Sequence, residues 1–86
     1  MARKTGVVDA IESAKRLTHK TRNHVLTTKT KMTSIARACG VNRMTVTRIL
    51  DGDDMPVSLF LAAMQESGGD PAQMLHDAEV EAGKAA

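Results

Sequence analysis

Apolar residues recur at three- and four-residue spacing along most of this chain, without sustained alternation bounded by turn pairs such as Asn-Gly, so the pattern predicts helices and no strands. Val7, Ile11 and Ala14 lie on one stripe, joined by Val8 and Leu17. They predict a helix from about Val7 to Lys20, with Asp9 and Glu12 in its first turn where negative charge suits the helix dipole. From Thr21 to Lys31 the stripe weakens. Thr21, Val25 and Thr28 extend it, but Leu26-Thr27-Thr28-Lys29-Thr30-Lys31 is rich in β-branched polar residues that favour helix poorly. A second helix, a continuation of the first and a loop all fit this segment. Beyond it the signals sharpen. Met32 or Thr33 opens a short helix with Ile35, Ala36 and Cys39 inward, ended by Gly40. Asn42-Arg43 caps and opens the next, with Val46, Ile49 and Leu50 inward until Asp51-Gly52. A helix from about Pro56 to Ser67 precedes the stop Gly68-Gly69, and Asp70-Pro71 begins the last, with Asp70 as N-cap and Gln73 as capping-box partner. Its stripe is Met74, Leu75, Ala78 and Ala82, ending at Gly83. The fold class is all-α, a small bundle of about five helices.

At 86 residues one core is all the chain can bury, so residues 1–86 form a single domain. With Phe60 the sole aromatic, that core is aliphatic, and a core this small often leans on a metal, disulfides or a partner subunit. One cysteine, Cys39, excludes an internal disulfide. His19 and His24 stand five apart and His76 is remote, which is no zinc-ligand spacing. Oligomerisation is left. The longest apolar run, Val57 to Met64, is interrupted by Ser58 and far too short to span a membrane, and the N-terminal segment lacks the apolar stretch of a signal peptide, so a cytoplasmic protein is expected.

Net charge is only +2, but it is polarised. Residues 1–48 carry eleven basic side chains against Asp9 and Glu12, whereas residues 49–86 carry Lys84 against eight acids. Screening confines charge effects to about 10 Å, so the basic half can attract a polyanion despite the small total. Three regions follow: a basic helical region at 1–31, a helix-turn-helix at 32–52, and acidic helices at 53–86.

The segment MTSIARACGVNRMTVTRILD, Met32 to Asp51, resembles the helix-turn-helix of the Cro and lambda-repressor type. That motif wants a small residue fifth, Gly ninth, and apolar residues at positions four, eight, ten, fifteen and eighteen; here stand Ala36, Gly40, Ile35, Cys39, Val41, Val46 and Ile49. A small Ala36 lets two helices cross closely, Gly40 permits the turn, and the five apolar residues fix the second helix against the first. The string ACGVNRMTVTRIL is also similar to the headpiece of the lactose-repressor family, but that family puts its motif at the extreme N-terminus, and thirty-one residues precede it here. Downstream, the Gly52 loop and Pro56 leading into the helix of Leu59, Leu61 and Met64 are again similar to the Cro type. Ahead of Met32 the family's Leu and Arg pattern is missing, and the first helix is displaced or lengthened.

The resemblance implies a transcriptional repressor whose second motif helix enters the major groove of double-stranded DNA. Asn42, Arg43, Met44, Thr47 and Arg48 are then the base-contacting residues: arginine suits guanine, asparagine adenine, and methyl groups thymine. Thr33 and Ser34 at the start of the first motif helix, with Thr45, would contact phosphate, as would Lys15, Arg16, Lys20, Arg22, Lys29 and Lys31, with Arg3 and Lys4 as an arm. One helix reads too few base pairs to select a genomic site, so a homodimer on a palindromic operator is expected. Met74, Leu75, Ala78 and Ala82 are its expected seam, unless that stripe packs on Leu59, Phe60 and Met64 of its own chain; Val7, Ile11 and Ala14 offer the other surface. No catalytic constellation, cofactor motif, metal set or small-molecule site is evident. Two rival functions use the same scaffold: an antitoxin or anti-repressor binding protein through the acidic half, and an architectural DNA binder without base readout.

Overall fold

A computed structural model describes residues 3–85, with side chains from Ala10 to Gly83. Its described residues form five α-helices and no strand: α1 (Arg3–Thr27), α2 (Met32–Cys39), α3 (Arg43–Leu50), α4 (Val57–Ser67) and α5 (Pro71–Ala85). The chain is a small helical bundle, as the periodicity predicts. The first helix differs most from expectation. It starts four residues earlier than Val7 and runs on through the uncertain segment, so that segment is a continuation of α1 as far as Thr27. Low intrinsic propensity is overridden by burial of Thr18, Thr21 and Val25, all 0 % exposed, since tertiary packing supplies most helical stability. Thr18 Oγ1 also donates to the Ala14 carbonyl at 2.8 Å, which satisfies its buried hydroxyl. With the start at Arg3, Glu12 is no first-turn residue. It accepts from Arg16 Nε one turn later, at 2.8 Å.

Three helices end in the same way. A residue with positive φ follows each last turn, and the next N–H reaches back to a carbonyl five residues earlier: Val41 to Ala36 after Gly40 (φ 74°), Gly69 to Met64 after Gly68 (φ 74°), and Thr30 to Val25 after Lys29 (φ 58°). The two glycine stops were foreseeable; the lysine was not. Asp70 caps α5 by accepting from Gln73 N–H at 3.2 Å, but the Gln73 amide turns to Asp77 instead of closing a capping box. Gly83 does not end α5, which continues to Ala85.

The core joins Val25 of α1 to Ile35 and Ala36 of α2, Val46 and Leu50 of α3, and Leu59, Ala62 and Ala63 of α4, with Met32, Cys39, Ile49 and Met55 packed against it. Val41 departs from its motif role: at 40 % exposure it does little to fix α3 on α2. α5 runs antiparallel along α1 and touches α4 only lightly, with Gly69 beside His24 at one end and Lys20 paired to Glu81 towards the other. Ala78 and Ala82 are thereby 0 % exposed. That corrects their assignment to a dimer seam: both are already covered within the same chain, where α5 packs chiefly on α1 and only lightly on the helix of Leu59, Phe60 and Met64. Met74 is half-buried, and of the four only Leu75 remains exposed.

Candidate nucleic-acid interface

α3 presents one face to the core and the other to solvent. Val46 and Leu50 are fully buried and Ile49 half-buried, which fixes the helix rotationally. Arg43, Met44, Thr47 and Arg48 consequently share the outer face, where with Asp51 they line one open concavity. Met44 is 70 % exposed, a position suited to contact with a thymine methyl. Thr47 Oγ1 donates to the Arg43 carbonyl at 3.2 Å, which leaves its methyl as the group free for contact.

Two expected contacts are already engaged. Asn42 is the N-cap of α3, its Oδ1 accepting from Thr45 N–H at 2.8 Å and from Thr45 Oγ1 at 3.0 Å. A bidentate bond from Asn42 to adenine would cost the helix its cap, so Asn42 belongs first to the fold. Thr45 likewise spends its hydroxyl proton on Asn42 and has no free donor for a phosphate.

The start of α2 is different. Its N-cap, Lys31, has extended backbone and makes no side-chain cap bond, so among the described residues no side chain caps the positive end of this helix. Thr33 and Lys31 are exposed there and Ser34 half-buried. The arrangement suits a phosphate oxygen.

The basic residues of α1 divide into free and committed. Lys15 is exposed, as are Lys29 and Lys31 in the connection from α1 to α2. Arg16 is paired with Glu12, Lys20 with Glu81 at 2.7 Å, and Arg22 with Asp51 at 2.8 Å. These three pairs correct the picture of a uniformly available basic helix: Lys20 ties α1 to α5, and Arg22 ties it to the end of α3. The side chains of Arg3 and Lys4, like those of Val7, Val8 and Asp9, lie outside the described residues. Sequence reasoning passed over Arg37, exposed on α2 and basic within the motif itself, and Asp51, which as last residue of the motif borders the outer face of α3.

Among the described residues no group of three His, Cys, Asp or Glu could hold a metal ion, and no helix is long and apolar enough to cross a membrane. In comparisons with known proteins, no family model, no curated protein and no solved structure matches the chain.

Proposed function

We propose that this protein is a sequence-specific DNA-binding repressor acting as a homodimer on a palindromic operator, with α3 in the major groove. The observation that carries the reading is the outer face of α3, where Arg43, Met44, Thr47 and Arg48 stand together on a helix whose opposite face is locked in the core. Two arginines provide bidentate donors for guanine, and two methyl-bearing side chains provide thymine contacts, a combination that reads bases as well as charge. The uncapped start of α2 and the exposed Lys15, Lys29, Lys31 and Arg37 supply phosphate contacts.

A dimer is required by information content, since a single helix reads only a few base pairs. With Ala78 and Ala82 covered, the surface that best supports a second copy is the exposed side of α1 at Ile11. Ile11 lies seven residues before Thr18 and so continues the inward stripe of Thr18, Thr21 and Val25, yet it is 80 % exposed.

Selection of random-sequence duplexes with the purified protein tests the function. Enrichment of a two-fold symmetric sequence is expected. Tight binding without enrichment would make the protein an architectural binder, and absence of DNA binding would move it to the class of protein-interaction modules.

A further inference from the structure

The recognition helix ends among acids. Asp51 is its C-cap, and Asp53 and Asp54 follow immediately after Gly52. A carboxylate at this end opposes the helix dipole, and a group of them beside a DNA-reading face would repel phosphate. Each is held within the chain. Arg22 Nε donates to Asp51 Oδ1 at 2.8 Å, His19 Nε2 stands 3.3 Å from Asp53 Oδ1, and Asp54 Oδ1 accepts from Met55 N–H at 2.9 Å. Of these partners only arginine is always charged.

Asp51 sits on a ridge between two concavities. One is the outer face of α3, shared with Arg43, Met44, Thr47 and Arg48; the other lies between α1 and α3 and is lined by His19, Arg22, Asn23 and Leu50. Arg22 is bonded to the carboxylate from this second side. Both side chains remain about half exposed, at 44 % and 55 %, so the pair adds little to stability in screened solvent, and its consequence lies in the field beside the recognition face.

We propose that Arg22 serves DNA recognition through Asp51: it neutralises that carboxylate and holds it toward α1, so that the C-terminal edge of the recognition face does not repel the phosphate backbone. Arg22 is thus a positioning residue and not a phosphate ligand. The proposal rests on α3 being the DNA-reading helix.

The test is equilibrium binding of four proteins (wild type, Arg22→Ala, Asp51→Asn and the double variant) to a duplex enriched by the wild type, at several salt concentrations. Arg22→Ala should weaken binding about tenfold by leaving an unmasked carboxylate against phosphate. Asp51→Asn should bind severalfold more tightly than wild type, because it removes the carboxylate and leaves Arg22 unopposed, and the double variant should return to within about twofold of wild type, because nothing remains to mask. A double variant as weak as Arg22→Ala, with a salt slope lower by about 0.9, would overturn the proposal and make Arg22 a phosphate ligand. Unchanged binding by Arg22→Ala would overturn it as well. Should Arg22→Ala not fold, as judged by its thermal melt, Arg22→Gln takes its place. Failure of the wild type to enrich any duplex sinks the reading of α3 itself, whereas failure of rescue leaves wild-type binding intact and sinks only the role of Arg22.

Discussion

Arg43 opens α3 on its solvent face and, among the described residues, forms no ion pair, so its guanidinium is available to a guanine edge. Arg43→Ala should cost about 1–3 kcal/mol of specific binding and relax preference at one base pair per half-site, leaving random DNA nearly unaffected. Anisotropy titrations on selected and scrambled duplexes check this, and equal losses on both would make Arg43 a phosphate contact. Thr21 tests the core. Its Oγ1 is buried without a hydrogen-bond partner, on a residue 0 % exposed, so it has left water and received nothing. Thr21→Val keeps the branched shape and removes the stranded hydroxyl, and it should raise stability by about 1 kcal/mol in chemical denaturation. A loss of stability would mean the hydroxyl is satisfied after all. Residue types at motif spacing were readable in the sequence because each answers a local demand, as Ala36 and Gly40 do. Partnerships were not. Lys20 and Arg22 are simply two positive charges in a sequence tally, while Glu81 and Asp51, which engage them, lie 61 and 29 residues away.

At the scale of the element, the boundaries of α2, α3 and α4 were legible because glycine, asparagine and proline mark them through backbone geometry that no distant contact need supply. The end of α1 was not, since a lysine occupies the position that glycine fills after α2 and α4. Lys29 at φ 58° bears the steric cost of a side chain in left-handed backbone, about 1–2 kcal/mol, against which the greater unfolded freedom of glycine counts for less. Lys29→Gly should therefore stabilise the protein by about 0.5–1 kcal/mol, measured by thermal melting. If Lys29 also touches phosphate, the same variant binds DNA more weakly, and stability and affinity move in opposite directions. The length of α1 was hidden for a related reason: the β-branched polar run from Leu26 to Lys31 favours helix poorly, and only the burial of Thr21 and Val25 carries α1 on to Thr27.

For the whole molecule, the aliphatic core and the single bundle were implied by composition, but the pairing of first and last helices was not, because Ala78 and Ala82 read equally well as a surface seam. Two variants now separate core from surface. Ala78→Leu overfills a site with no exposure and should lower stability by about 1–3 kcal/mol without changing the mass in solution. Ile11→Glu should leave the thermal melt of the monomer nearly unchanged and abolish association by light scattering; an unaltered dimer would remove α1 as the seam. The antiparallel packing of α1 on α5 also governs the order of events as the chain is made. The helix-turn-helix closes through contacts between near neighbours in sequence, whereas the inner face of α1 must wait for the segment sixty residues behind it, as the separation of Lys20 from Glu81 measures. Distant pairings form late because the loop-closure entropy is lost before they contribute. On the ribosome, then, the helix-turn-helix unit can assemble around Val25 before the longest helix is fully covered, and the nascent chain carries the α5-facing part of α1 open until synthesis of α5 is complete.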